Sequence, residues 1–332
     1  MQVTILGAAG FLGRKLANRI TEIGGIGGGE PVTALTLFDM VPTTPPPGAG
    51  FPVTCLEGDV TALPETAIPP GTAVVFHLAA VVSAQAEADY DLGLRVNLHG
   101  ALAVADACRR AQAASKRAPR LVFTSSVATF SGGQDSVIAD EARQVPANSY
   151  GAQKAAAELL LGDASRRGFL DLVALRLPTV VVRPGRPNRA ASGFLSGIIR
   201  EPLLGLGSEL PVAEDFAAWL ASPRRAVDWL LHAARLPGAE LGVARGINPP
   251  GITVTVGEMI AALEQVRPGA ARLIRRAPDP EIAAIVGTWP PRFASARARA
   301  LGFAEHESFA EVVRAFIADD LAATRAERAA PT

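Results

Sequence analysis

Three features of the sequence predict an α/β fold. Gln2 to Leu6 is a short β-branched and aliphatic run that leads into Gly7-Ala8-Ala9-Gly10-Phe11-Leu12-Gly13 and then into a helical pattern with Leu16 and Ile20 on one face. Apolar strand-like runs then alternate with longer helical stretches as far as Pro178. Beyond that point the elements are short and mixed. The expected architecture is a Rossmann-type doubly wound parallel sheet with a smaller C-terminal cap. Residues 1–178 make the sheet domain, 223–250 return to it, and 179–222 with 251–327 make the cap.

The strands of the expected sheet are Gln2 to Leu6, Pro31 to Phe38, Phe51 to Leu56, Ala73 to Leu78, Leu121 to Thr124 and Leu172 to Arg176, where Pro178 ends the sixth. Asp89 to Arg117 reads as one long helix. Gly24 to Gly29 reads as a flexible connection and Pro42 to Pro52 as a Pro/Gly loop. In the second half, Pro223 to Ala234 reads as a helix returning to the sheet and Arg245 to Asn248 as a short strand. Val256 to Val266 is an amphipathic helix, Arg272 to Arg275 a short strand, Pro280 to Val286 a short helix, and Ser308 to Glu327 a terminal helix.

Composition narrows the function. The 32 Lys+Arg balance the 32 Asp+Glu, so no bulk field draws the chain to nucleic acid or membrane. Aromatics are few, at 5%, which argues against a base-stacking surface. The two cysteines, Cys55 and Cys108, lie in apparent core segments and read as buried free thiols of a reducing compartment. His77, His99, His232 and His306 have no ligand spacing, so no metal is expected. Without a signal peptide or a membrane-spanning run, the expected location is the cytoplasm.

The chemistry-bearing residues collect at strand ends. A strand, a glycine loop and a helix in that order make a cradle for a diphosphate. Gly7 allows the tight turn, Gly10 the close approach of backbone to the anion, and Gly13 the packing of helix on strand, with Phe11 and Leu12 between. Asp39, at the end of the second strand, accepts ribose hydroxyls and repels the extra phosphate of NADP, so NAD is the expected cofactor. His77-Leu78-Ala79-Ala80 offers small residues at the end of the fourth strand, with His77 as a core histidine. Asn97 either braces the backbone or serves chemistry. Ser125 and Ser126 end the fifth strand. Tyr150 and Lys154, four apart, share one helical face, and a lysine cation beside a phenol favours the phenolate.

In this order, with Asp59-Val60 after the third strand, these motifs resemble the extended short-chain dehydrogenases/reductases, the NAD-dependent epimerase/dehydratase family that includes nucleotide-sugar epimerases. The resemblance implies that Ser126, Tyr150, Lys154 and Asn97 are catalytic. It implies cofactor contacts from Gly7, Gly10, Phe11, Leu12, Gly13, Asp39, Asp59, Val60, Leu78, Ala79, Ala80, Asn97, Ser125, Tyr150, Lys154, Pro178 and Thr179. It also implies pairing of two subunits through the helices that carry Asn97 and Tyr150. Leu6, Phe130-Ser131 and Gln153 depart from the common family pattern, and Gln153 stands where serine is frequent.

Arg176 to Asn188, Ala191 to Phe194, Ile199 to Leu203, Trp219 to Arg224 and Val81 to Asp89 are similar to the D-erythronate dehydrogenase branch of that family. That likeness implies NAD-dependent oxidation at C2 of a four-carbon sugar acid, D-erythronate to 2-oxo-erythronate. Arg183, Arg186, Arg189 and Arg200 form a basic cluster without an acid between Thr179 and Arg200, suited to a carboxylate. Arg183 is the first choice for the carboxylate, with Ser83, Ser126, Tyr150, Asn188 and Ser192 as further substrate contacts. Trp289-Pro290-Pro291 reads as loop packing. Two rival readings stay open: a nucleotide-sugar epimerase or dehydratase that cycles NAD, and a non-catalytic dinucleotide sensor.

Overall fold

The computed structural model of the 332-residue chain describes residues 1–133, 135–186, 191–305 and 308–329. Twelve strands form in chain order: β1 (Gln2–Leu6), β2 (Ala34–Asp39), β3 (Val53–Glu57), β4 (Thr72–His77), β5 (Arg120–Ser126), β6 (Asp171–Leu177), β7 (Thr179–Val180), β8 (Ser208–Leu210), β9 (Ala217–Ala221), β10 (Gly246–Ile247), β11 (Ile252–Thr255) and β12 (Ile274–Arg276). Seven of them make one sheet in the order β10-β6-β5-β4-β1-β2-β3, parallel at every pairing. The chain moves outward from β1 to β3 on one side and then crosses to β4 on the other. The strand order therefore reverses between β1 and β4, and a crevice opens beyond their carboxyl ends.

Side chains alternate across the sheet, and each face is covered by helices. On one face Val3, Ile5, Leu35 and Leu37 meet Leu16 and Ile20 of the Phe11–Ile23 helix and Trp229 and Leu230 of the Pro223–Arg235 helix. On the other, Leu6, Phe38, Val75, Leu121 and Phe123 meet Val104 and Cys108 of the Gly100–Ser115 helix and Ala157 and Leu161 of the Ser149–Arg166 helix. A further apolar cluster lies off the sheet. It joins Val181, Leu195, Ile199, Leu220, Met259, Leu263, Val313 and Phe316 from the Gly193–Leu203, Val256–Val266 and Phe309–Asp319 helices and their neighbours. The small β11-β9-β7 sheet and the β12-β8 pair belong to this second half of the chain. The expected strand near 245–248 is present as β10 and pairs with β6.

Several elements differ from expectation. The long helix is three pieces: Tyr90–Gly93, a π-helical stretch Leu94–His99, and Gly100–Ser115. The terminal helix divides into Phe309–Asp319 and Leu321–Ala329, and Asp320 between them pairs with Lys15 at 2.7 Å. The Gly193–Leu203 helix and strands β8, β9 and β11 fall where no element was expected. Cys55 is exposed, because β3 is the edge strand of the sheet, whereas Cys108 is buried and its thiol is pushed up to about 12 by burial. Among the described residues no helix is long and apolar enough to cross a membrane, and no group of His, Cys, Asp and Glu is placed to hold a metal.

Candidate active site

The glycine loop sits at the switch point. Gly7 and Ala8 donate their amides to Phe38 O, while Leu78 and Ala79 donate theirs to Leu6 O, so the ends of β1, β2 and β4 are tied together. Gly7 has φ +89°, and a Cβ there would come within 2.5 Å of Ala79 N. A Cβ at Gly13 would strike Gly7 O, so the helix can seat on the strand only with glycine at this position. Gly10 caps the Phe11–Ile23 helix without a side chain, and no acid stands in the first turn. The first amides of this helix are thus left for an anion, with Phe11 and Leu12 on the cavity wall.

Asp39 ends β2, and its Oδ2 accepts the Ala9 amide at 2.9 Å. The carboxylate therefore braces the glycine loop and remains half-exposed at its edge. Asp59 and Val60 serve the local fold. Asp59 Oδ1 accepts both the amide and the hydroxyl of Thr61, each at 2.8 Å, and these bonds hold its carboxyl below the ordinary value. Val60 is buried against Gly100.

Ser125 and Ser126 end β5. Ser125 is buried and borders the cavity, and its hydroxyl has no partner among the described residues, so it is able to bond a ligand there. Ser126 caps the following turn by accepting the Ala128 amide at 3.1 Å, and its hydroxyl favours ionisation of the Tyr150 phenol. The Ser149–Arg166 helix starts at Asn148, whose Oδ1 accepts the Gly151 amide at 2.7 Å. Asn148 is itself held by Ser131 Oγ at 2.9 Å. A Cβ at Gly151 would collide with Ala128 O, so glycine here lets the helix lie against the Ser126 turn. This places Tyr150 beside Ser126.

The electrostatics differ from the sequence expectation. The Tyr150 phenol is raised above its ordinary value by burial, and the influences that oppose this are the Arg183 charge and then the Ser126 hydroxyl. Lys154 is buried, with Nζ 4.6 Å from the centre of the Phe123 ring and 5.8 Å from that of Tyr150. Burial pushes the ammonium down to about 7, so at neutral pH it is only partly charged. The main cation acting on the phenol is Arg183. His77 is a core histidine, pushed down to about 3 by burial and then by Lys154.

Asn97 lies in the π-helical stretch and braces the backbone there. Its Oδ1 accepts the Val81 amide at 2.9 Å, and its Nδ2 donates to Val81 O at 3.1 Å and to Gln153 Oε1 at 2.8 Å. Of the arginine cluster, Arg200 is buried against Glu201, and Arg186 is exposed. Arg189 and the expected contact Asn188 lie outside the described residues. Arg183 Nε donates to Val180 O at 3.2 Å and Nη2 to Ser192 Oγ at 3.1 Å. Among the described residues no carboxylate pairs with it.

A cavity of about 370 Å³ brings these groups together. Its wall includes the glycine loop, Leu78, Ala80, Ser83, Ser125, Ser126 and Tyr150. Pro178, Thr179, Arg183 and Ser192 of the expected set also line it, whereas Asp39, Asp59, Val60, Ala79, Asn97 and Lys154 lie outside its wall. Trp289 and Pro290 also border it, which sequence reasoning missed. Their segment is fixed by Thr253 Oγ1 donating to Pro291 O at 2.8 Å and by Ile138 donating to Arg292 O at 2.9 Å. The only signal in the sequence was an aromatic followed by two prolines.

Residues 3–219, more than half of the chain, match the NAD dependent epimerase/dehydratase family. The chain is 47% identical to a D-erythronate dehydrogenase from Cupriavidus necator, over 96% of this chain and 98% of that protein. It is 39% identical to a D-erythronate dehydrogenase from Haemophilus influenzae, over 97% and 100%. Among solved structures it is similar to a protein from Agrobacterium tumefaciens described as a nucleoside-diphosphate-sugar epimerase, with 44% identity, a TM-score of 0.91 and coverage of 98% and 96%. A family model that spans more than half of the chain, and two relatives matched over nearly all of it, show that the chain belongs to the NAD dependent epimerase/dehydratase family and is an NAD-dependent dehydrogenase of the extended short-chain dehydrogenase/reductase type.

Proposed function

We propose that this enzyme oxidises the C2 hydroxyl of a small sugar acid, D-erythronate by first choice, to the 2-oxo acid. The observation that carries the reading is Arg183. A mostly buried guanidinium without a carboxylate partner among the described residues borders the same cavity as Tyr150 and Ser126. Such a group favours an anion over a neutral sugar. The names of the Cupriavidus and Haemophilus relatives point to the same substrate.

NAD supplies the hydride-accepting ring when bound. The amides that open the Phe11–Ile23 helix hold its diphosphate, and Asp39 its adenosine ribose. Leu78, Ala79, Ala80, Pro178 and Thr179 form the surface on which it lies, and Ser125 gives one hydroxyl contact. Tyr150 as phenolate takes the proton from the C2 hydroxyl, and Ser126 holds that oxygen by a hydrogen bond. Lys154 holds the nicotinamide ribose. Arg183 binds the carboxylate, and Ser192 and Ser83 face the remaining hydroxyls. The anchored acid then presents one carbon to the cofactor.

The Agrobacterium likeness favours a second reading, a nucleotide-sugar epimerase that returns NAD unchanged. NADH formation across four- to six-carbon aldonic and uronic acids, beside a set of nucleotide sugars, separates the two. Reduction of NAD with an acid supports the dehydrogenase. Conversion of a nucleotide sugar without net NADH supports the epimerase, and NAD binding with no turnover in the whole panel supports the sensor.

The enzyme is further proposed to be a cytoplasmic homodimer. Leu159 and Leu160 on the Ser149–Arg166 helix are 71% and 48% exposed, and Leu102 on the Gly100–Ser115 helix is 37% exposed. These apolar residues lie on the two helices through which pairing is expected.

A further inference from the structure

Gln153 sits between the two catalytic side chains in sequence, yet it takes no part in the chemistry described above. It is buried, and its Oε1 accepts from Asn97 Nδ2 at 2.8 Å. Asn97 in turn clasps the backbone of Val81 through both N–H and C=O, at 2.9 and 3.1 Å. Val81 directly follows the Leu78-Ala79-Ala80 floor of the cavity. A chain of side-chain bonds thus runs from the Tyr150 helix, through the π-helical stretch, to the end of β4. A π turn inside a helix is a costly irregularity that concentrates at functional sites.

Gly93 completes the arrangement. A Cβ at this position would lie 2.7 Å from Gln153 Nε2 and 2.9 Å from the Ala86 Cβ. The glycine therefore makes room for a side chain long enough to reach Asn97. Serine, frequent in the family at this place, is too short for that reach. Gln153 Nε2 has no partner among the described residues, so the amide is held through its oxygen alone.

We propose that Gln153 is a positioning residue: with Asn97 it clamps the catalytic helix to Val81, and so sets Tyr150 over the cofactor floor. This rests on Tyr150 being the proton-transfer group and not on the choice of sugar acid. The clamp keeps water from the phenol. Around Tyr150 the charged groups are Arg183 and Lys154, with Glu87 at the start of its helix, where it accepts the Ser149 amide at 2.8 Å.

The test uses a property of the composition: Tyr90 and Tyr150 are the only tyrosines. In a Tyr90→Phe background the ultraviolet titration of phenolate reports Tyr150 alone, whatever the substrate. Gln153→Met keeps the length and removes the acceptor. Hydration of a loosened site should lower the Tyr150 midpoint, since burial raises it. With the substrate that the wild type turns over, kcat should fall about 10-fold while KM for NAD changes little. An unchanged titration and kcat in folded Gln153→Met would overturn the proposal and leave the substrate assignment untouched. Gly93→Ala gives a second arm. Its loss of thermal stability should shrink in a Gln153→Ser background, and an equal loss in both backgrounds would refute the pairing of Gly93 with Gln153.

Discussion

Arg183 and Tyr150 border one cavity, and the charge of the arginine draws the phenol downward against the effect of its burial. Anion binding and ionisation of the base are therefore linked at one place. A carboxylate seated on Arg183 weakens the pull on Tyr150, while removal of the guanidinium abolishes it. Arg183→Met should raise KM for the acid roughly 10- to 100-fold, the range expected for lost charge-assisted hydrogen bonds. The sign of the pH effect follows from the charge. Without a nearby cation the phenolate is less stable, so the limb of kcat/KM that requires it should move to higher pH. Steady-state kinetics across pH checks both outcomes.

Tyr150→Phe removes the proton acceptor and keeps the ring. It should lower kcat by about 100-fold or more. NADH binding, followed by fluorescence, should remain close to that of the wild type, because the substitution leaves the glycine loop and its amides unchanged. Retained turnover would remove Tyr150 from its role.

Two glycines with positive φ give a contrast in stability. Gly24 has φ +64° and open space around it, so Gly24→Ala should cost about 1 kcal/mol. Gly7→Ala meets the same backbone penalty and also the backbone of Leu78 and Ala79. It should destabilise by several times that amount and abolish NAD binding. Urea unfolding with and without NADH measures both effects.

Burial of His77 and Lys154 imposes a pH dependence on stability. Between 6.5 and about 3 the unfolded chain binds a proton on His77 that the folded chain refuses. Between 10.5 and about 7 the same holds for Lys154. In both windows the unfolded state carries more protons, so stability rises with pH and is lost as pH falls. Lys154→Met should therefore raise stability near neutral pH and flatten the rise toward alkaline pH, while losing activity. Melting temperatures measured across pH give the comparison.

The sheet was legible because its central strands, such as Thr72–His77 and Arg120–Ser126, are buried on both faces and so appear as continuous apolar runs. The glycine loop and the Ser126/Tyr150/Lys154 set were legible because their spacing is itself the geometry. The pKa order was not legible. Adjacency in sequence pointed to Lys154, whereas burial lowers that lysine and Arg183, from a distant segment, is the charge that draws the phenol downward. Side-chain periodicity in Leu94–His99 looks helical, and the π turn lies in backbone hydrogen bonding that this periodicity does not carry. The Gly193–Leu203 helix was hidden by Pro202 inside it and by Gly193 and Gly197, which are poor helix formers. Trp289 reaches the cavity only through tertiary contacts.

The most direct measurement is the stoichiometry of NADH formed to D-erythronate consumed, with the product captured as a 2-oxo acid. One NADH for each acid consumed, lost in both Tyr150→Phe and Arg183→Met at low acid concentration, is the expected result. Consumption of a nucleotide sugar with no accumulation of NADH, and no reaction with any sugar acid, would contradict it.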